Sequence, residues 1–449
     1  MKKSYPVVIV GAGPSAIFAA YTLAMKGVKG IAIFERGKDI HERKRGRGMD
    51  LLCGWGGAGA FSDGKLTLST SVGGFLSEFV PQTELVNLLR KADDVYLSFG
   101  APKEIFGQSS DKTETLYQEA KLAELEFIPF EIRHLGTENC VPLLKRMREA
   151  LDKKVDTFFE TPVREILVDG GKVAGVLLQD GTRVKANVVI CGPGRVGAEW
   201  IRNEVQRLGI SSIPSPVDIG VRVEAPASIL RKLTDLAYEA KLIYYSKTFD
   251  DKLRTFCMNP HGEVVTETID DIMTVNGHSY AGKKTENTNF AILVSSTFTE
   301  PFRDPIGYGK YIARLANLLG NGVIVQRLGD LLDGRRSTPS RIDRCITQPT
   351  LTSATPGDLS FVLPYRHLKG IIEMLEALER IAPGISSRHT LLYGVEVKFY
   401  TNRVKLSPTL ESDIQNLYLI GDGAGITRGL LQASVSGILA ANEILTRVF

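Results

Sequence analysis

The chain has no run of 18 or more apolar residues, so no segment of it is long and apolar enough to cross a bilayer as a helix. It also lacks the apolar stretch and small-residue cleavage site of a secretory signal, because Met1-Lys2-Lys3-Ser4-Tyr5-Pro6 leads directly into a strand-like run. Its cysteines, Cys53, Cys140, Cys191, Cys257 and Cys345, are odd in number and contain no CxxC pair. That argues against a disulfide framework and leads us to expect free thiols in a reducing cytoplasm. The net charge of +4 over 449 residues is too small to imply nucleic acid by itself. No internal repeat and no low-complexity tract is visible, and 43% hydrophobic with 24% charged residues is ordinary for a globular protein. The length fits two or three domains; two are expected.

What is present begins with Val7-Val8-Ile9-Val10-Gly11-Ala12-Gly13-Pro14-Ser15-Ala16, followed by Ile17 to Lys26. Four apolar, mostly β-branched residues suit a strand buried on both faces of a parallel sheet. Gly11 permits the tight turn, Gly13 lets backbone approach a pyrophosphate, and Ala16 is the third small position, where helix and strand pack closely. Pro14 lacks only an N–H that a helix start leaves unused, so the positive helix end faces an anion. Gly30-Ile31-Ala32-Ile33-Phe34-Glu35 then supplies a second apolar run, ending in an acid 24 residues after Gly11, where a ribose hydroxyl acceptor belongs. This is the pattern of a dinucleotide-binding βαβ unit.

The next stretch, Arg36 to Arg47, is basic and has too little apolar periodicity for a core helix; it reads equally as a phosphate contact or a solvated face. Cys53-Gly54-Trp55-Gly56-Gly57-Ala58-Gly59-Ala60-Phe61-Ser62-Asp63-Gly64-Lys65-Leu66 is the densest glycine cluster, suited to backbone against a flat ligand or in unusual turns. Gly59 to Lys65 imitates a P-loop, but Leu66 replaces the magnesium-binding Ser or Thr and no apolar strand precedes it, so a triphosphatase is rejected. Helical spacing marks Pro81 to Phe99 and Cys140 to Leu151 as scaffold. A three-stranded meander is expected at Val163 to Val168, Lys172 to Gln179 and Thr182 to Val184, turning at Asp169-Gly170-Gly171 and Asp180-Gly181. A further buried strand at Ala186 to Cys191 ends in Gly192-Pro193-Gly194, and an amphipathic helix runs from about Gly197 to Leu208. Ser211 to Pro216 resembles a linker, and Val217 to about Pro383 alternates strands and helices without a fingerprint of its own. At the end, Asn416 to Gly425 is a strand feeding a tight turn, with a helix from around Leu430 to Val448; Asp422 can accept from a ribityl hydroxyl.

In this order the pieces resemble the glutathione-reductase-type FAD flavoproteins, and more narrowly the FAD-dependent dehydrogenases of uncertain substrate. The matching residues are Gly11 to Ala16, Cys53 to Leu66, Arg254-Thr255-Phe256-Cys257-Met258-Asn259-Pro260-His261-Gly262, Thr390 to Tyr400, and Gly421-Asp422-Gly423-Ala424-Gly425-Ile426-Thr427-Arg428-Gly429. The resemblance implies an α/β fold: a Rossmann-like FAD-binding domain with a three-stranded β-meander and an inserted α+β substrate or cap domain. The implied bounds are 1–212 for the first part of the FAD domain, 213–385 for the insertion and 386–449 for the rest. Noncovalent FAD is expected at Gly11, Gly13, Pro14, Ser15, Ala16, Glu35, Arg36, Gly57, Val163 near the adenine, Gly192, Gly421, Asp422 and Gly425. Family relatives carry a second cysteine and a glycine where this chain has Asn259 and His261, so no dithiol role is expected there. Cys257 and His261 have a spacing that could begin a zinc site, but a structural strand-turn pair is the expectation, and no metal is expected. Cys53 is read as a packed small residue rather than a tether.

Lys65, Asp63 and Arg428 are the candidate catalytic residues, the two cations stabilising negative charge on reduced flavin or orienting an anionic substrate; the alternative is that Lys65 caps a loop and Arg428 pairs with an acid. The expected activity is an oxidoreductase exchanging a hydride, in either direction, between FAD and a small or medium organic substrate. Because no second nicotinamide-binding fingerprint is present, electrons must come from the substrate, from transiently docked NAD(P)H or from a redox protein. Two other readings are a flavin-bearing tRNA modification factor, using Arg335-Arg336 and Arg341 to Arg344 with the basic loop after Glu35, and a flavin-stabilised binding protein without turnover.

Overall fold

A computed structural model describes residues 1–44, 49–108, 110–213, 216–237, 239–269, 271–280, 284–296, 298, 304–398 and 403–448. The chain forms two compact units, one of 1–105, 132–215 and 401–449 and the other of 106–131 and 216–400.

The first unit is α/β. Its parallel strands lie in the order Val155–Phe158, Ile31–Phe34, Ser4–Val10, Arg183–Cys191, Leu417–Leu419. Strand ends are aligned: Val10 pairs with Phe34 and Cys191, Phe34 with Phe158, and Cys191 with Leu419. Val7, Val8 and Ile9 are fully buried, as a strand covered on both faces requires. Phe34 and Phe158 stack with centroids 5.1 Å apart, tying the edge of the sheet. The helices Pro14–Met25 and Leu430–Arg447 pack closely: a Cβ on Gly437 would lie 2.0 Å from the Ser15 carbonyl oxygen.

The meander is present, Val163–Asp169, Lys172–Leu178 and Arg183–Cys191, with one difference from expectation. Its third strand and the buried strand expected separately at Ala186 are one continuous strand. The alternating residues 183 to 185 pair with the meander, while the apolar run from Val188 to Cys191 enters the parallel sheet between Ser4–Val10 and Leu417–Leu419. The expected linker begins as a short strand, Ser212–Ile213, paired with Arg403–Val404; Pro214 and Ser215 lie outside the described residues.

The second unit is built on an eight-stranded sheet, ordered Thr355–Pro356, Ile324–Arg327, Leu391–Lys398, Val217–Pro226, Asn287–Ser296, Lys252–Asn259, Lys241–Tyr245, Glu126–Ile128. Every pairing in it is antiparallel except the two-residue one at Thr355–Pro356. Helices including Pro305–Gly320 and Tyr365–Leu378 bury apolar faces against it. Two boundaries therefore differ from the expected ones. The stretch from 386 into Leu391–Lys398 belongs to this unit, because that strand fills the slot between Val217–Pro226 and Ile324–Arg327. Residues 106–131 belong to it too, since Glu126–Ile128 extends the sheet beside Lys241–Tyr245. Phe399 and Tyr400, at the end of one resembling block, lie outside the described residues.

Candidate functional site

The parallel strands of the first unit all end on one side, and ligands of open α/β sheets bind outside the carboxyl ends of the strands. Gly11, Glu35, Gly192 and Gly421 each follow such an end by one or two residues. At Gly11 φ is +95°, and a Cβ would lie 2.5 Å from the Gly192 carbonyl oxygen, so two strand ends meet at glycine for lack of room. Gly13 is the N-cap of Pro14–Met25, gives no side-chain cap, and faces open space: a Cβ there would meet nothing within 4 Å. With Pro14 in the first turn, the remaining first-turn N–H groups are left for an outside acceptor.

Ser15 is where the distant pieces meet. It is 4% exposed, and its Oγ would lie 2.8 Å from a Cβ on Gly192 and 2.6 Å from one on Gly421. The fingerprint helix, the Arg183–Cys191 strand and the terminal strand thus close on one hydroxyl, with Ala16 fully buried beneath. Gly421 N donates to Ser436 Oγ at 3.0 Å, which ties the turn to the last helix. Asp422 opens a 3-10 turn ending at Gly425, φ +74°. Its carboxylate accepts from Thr427 Oγ1 at 2.7 Å and pairs with Arg195 Nε at 3.3 Å. Burial raises the Asp422 carboxyl above its ordinary value, opposed by Arg195, Thr427 and Arg428.

Glu35 is 5% exposed, and its carboxylate accepts from three backbone N–H groups: Ala12 at 2.7 Å, Gly37 at 2.8 Å and Gly54 at 3.0 Å. The expected ribose acceptor is therefore also the clamp joining the fingerprint turn to the glycine-rich loop. A carboxylate has about four acceptor sites, so one remains for an outside hydroxyl. Thr161 N donates to Glu35 O at 2.8 Å, which puts Val163, 9% exposed, two residues from that position.

The glycine-rich loop folds onto the fingerprint. Gly56 N donates to Ala12 O at 2.7 Å, and a Cβ on Gly57 would lie 3.3 Å from Gly13 Cα. Trp55 is fully buried, donating Nε1–H to Leu144 O at 3.0 Å. The Cys53 thiol is buried, and burial raises its pKa. Within the basic stretch Arg43 fits neither reading, being neither solvated nor turned out toward a phosphate. It is 7% exposed and donates to the carbonyls of Asp50, Leu51 and Trp55, with its guanidinium 5.0 Å from the Phe61 ring centre. Arg36 is exposed, and Arg45 to Gly48 lie outside the described residues.

Lys65 and Asp63 come together, Nζ to Oδ2 3.1 Å, with the Lys65 side chain only 9% exposed. Arg428 N donates to Gly73 O at 2.7 Å, and its guanidinium stacks 4.7 Å from the Phe75 ring centre, with Arg403 at 4.2 Å. Beside Lys65 and Asp63 the structure adds His134, which hydrogen-bonds the Asp63 backbone. No sequence signal marked it, because a lone histidine at a strand end has no spacing to read.

In the second unit, Cys257 and His261 adopt left-handed φ of 47° and 51° around a bulge after Phe256. The Cys257 carbonyl accepts from Arg222, which is fully buried, paired with Glu396 at 2.8 Å and bonded to Asn289. His261 Nδ1 meets Thr285 O at 2.8 Å. Among the described residues no group of three or more His, Cys, Asp or Glu is placed to hold a metal. Of the arginines expected as a phosphate-tracking surface, two meet acids, while Arg336 and Arg344 are exposed. Arg335 pairs with Asp330 and Asp333, and Arg341 lies 3.9 Å from Asp330 and donates to Arg336 O. No helix among the described residues is long and apolar enough to cross a membrane.

An "Uncharacterized protein" of Clostridium beijerinckii (strain ATCC 51743 / NCIMB 8052) is 28% identical over 480 residues, covering 99% of this chain and 81% of that one. Solved structures with some likeness to the chain include L-proline dehydrogenase from P. horikoshii, 12% identical with a TM-score of 0.43, covering 100% of this chain and 94% of that one. Glycine oxidase from Geobacillus kaustophilus is 13% identical with a TM-score of 0.39, covering 100% and 96%. Likenesses that distant carry no functional weight. Residues 216–399 match the family described as "FAD-dependent protein, C-terminal domain-like", and that match supports FAD as the cofactor.

Proposed function

We propose that the protein is a FAD-dependent oxidoreductase, a dehydrogenase or reductase that exchanges a hydride between noncovalent FAD and a small organic substrate. The observation that carries this reading is the closure of two strand ends, at Gly192 and Gly421, on Ser15 in the first turn of an uncapped helix. The residues fit the group. Gly11, Gly13, Pro14, Ser15 and Ala16 would hold the pyrophosphate, with Gly57 and Gly192 keeping the cradle free of side chains. Glu35 would take a ribose hydroxyl with its remaining acceptor site, Val163 would lie by the adenine, Arg36 would reach a phosphate, and Gly421, Asp422 and Gly425 would frame the ribityl chain. FAD, once bound, supplies the two-electron chemistry. The protein's part is to orient it and to place Lys65, Asp63 and Arg428 beside the reacting centre. The glutathione-reductase-type resemblance belongs to the same reading, as does a cytoplasmic setting.

The test is purification followed by acid precipitation. A yellow protein whose chromophore is released as FAD, lost in Gly13→Glu, supports the reading. Colourless protein that binds no added FAD overturns it.

A further inference from the structure

The strand Lys65–Leu68 pairs with Glu131–His134, and Leu135 N donates to Gly64 O at 2.9 Å, so His134 is brought alongside Asp63 and Lys65. Lys65 is nearly buried and is held by Asp63, 3.1 Å away. The His134 ring hydrogen-bonds the Asp63 backbone and lies within electrostatic reach of the Asp63, Lys65 and Glu138 side chains. From the helix Thr137–Leu151, Cys140 closes the cluster, donating to Gly136 O at 3.4 Å. Its thiol is pushed up to about 12 by burial, then by Asp63 and Glu138, and stays protonated. The same loop leads back through Gly57–Phe61 to Gly13 and Pro14, so this cluster is one short segment from the fingerprint.

A Lys–Asp pair alone would satisfy a structural role. The neighbouring imidazole adds a group that changes protonation near neutral pH, and burial lowers its pKa, which keeps it neutral and able to accept a proton. We propose that His134, Lys65 and Asp63 form the proton-handling end of the substrate site and that the substrate carries a hydroxyl. This rests on the flavin-dependent reading above. The hydroxyl O–H bond breaks, an N–H bond forms on the imidazole, and the resulting imidazolium and alkoxide are steadied by Asp63 and Lys65 respectively. An ammonium substrate suits the cluster less, because the carboxylate of Asp63 is already taken by Lys65.

The experiment uses ¹⁵N-histidine-labelled holoprotein with its FAD content measured on the same sample. The His134 ring signals, assigned by their loss in His134→Gln, are expected to titrate below the ordinary histidine range and to move up in Lys65→Met. Anaerobically, a panel of 2-hydroxy carboxylates and secondary alcohols should bleach the flavin where matched amines do not, at least about a hundredfold more slowly in His134→Gln of equal FAD content. His134 titrating at or above the ordinary value, bleaching confined to amines or to neither class, or a His134→Gln rate equal to wild type would overturn the proposal while FAD binding stood. Absence of FAD from every preparation would overturn the flavin reading and the proposal with it.

Discussion

Glu35 shows how one side chain serves both fold and ligand. Three backbone N–H groups, two of them buried, depend on its carboxylate, and a charge-assisted bond of this kind contributes about 1.5 to 3 kcal/mol. Glu35→Ala should therefore lower stability by roughly 2 to 4 kcal/mol as well as weaken FAD binding, since unsatisfied buried donors cost about 1 to 3 kcal/mol each and water will reach some of them. Denaturant unfolding of apoprotein separates the two effects: an unchanged midpoint would mean that the clamp contributes nothing. A different residue governs pH. His367 is 5% exposed, its Nε2 sits 3.1 Å from Ser296 Oγ, and burial holds its pKa down to about 4, with Asp251 opposing and Arg366 reinforcing. The unfolded chain then binds a proton below about pH 6.5 that the native state refuses until about pH 4, so stability is full above the upper value, falls through that window and levels below it. The loss should be about 3 kcal/mol, and His367→Leu should flatten that part of the urea-midpoint profile relative to wild type. Equal profiles for the two proteins would show that His367 titrates alike in the folded and the unfolded chain.

Elements were legible in the sequence where a local rule governs them. The fingerprint turn needs glycine at positions set by its own backbone, and the helices Gln82–Ser98 and Leu430–Arg447 carry their apolar stripes in plain order. What was not legible depends on partners far along the chain. The strand Arg183–Cys191 looked like two because its first residues alternate for a meander and its last are uniformly apolar for a parallel sheet. Leu391–Lys398 looked like the return to the first unit because nothing local distinguishes a strand of one sheet from a strand of another. Arg43 reads equally as a phosphate contact or a solvated residue because its acceptors are backbone carbonyls, which every sequence contains. Of the candidate site, the glycines and acids were readable, but their meeting at Ser15 was not. That meeting depends on the last helix lying against the first, and Gly437 is what permits it. A Cβ there would lie 2.0 Å from Ser15 O and 2.9 Å from Ala19 N, both backbone atoms of the facing helix. Gly437→Ala should force the helices apart at a cost of about 1 to 3 kcal/mol and shift Ser15 from its glycines. The expected result is protein that folds at reduced midpoint yet retains FAD poorly. Full FAD retention would show that the last helix does not position the site.

At the scale of the whole molecule, the two units divide the architectures available for dinucleotides. A nicotinamide site of the fingerprint kind needs a parallel βαβ unit with a glycine turn at the helix start. Among the described residues the first unit has that arrangement at Gly11 to Ala16. The second is an antiparallel sheet whose single parallel pairing is two residues long, and it offers no such turn. NADH and NADPH should therefore reduce the flavin only by encounter. In anaerobic stopped flow, the observed rate should rise linearly with nucleotide concentration up to the millimolar range, without saturation and with little difference between the two nucleotides, because the described residues offer no second fingerprint turn to hold them. A hyperbolic dependence with half-saturation in the micromolar range, or a strong preference for one nucleotide, would reveal a site built from other elements. If the linear dependence holds, the physiological electrons enter through the organic substrate or a redox protein. On the proposed reading the polar cluster of Asp63, Lys65 and His134 handles the substrate's proton, and a hydroxyl compound that bleaches the flavin should do so with saturation where the nicotinamides do not.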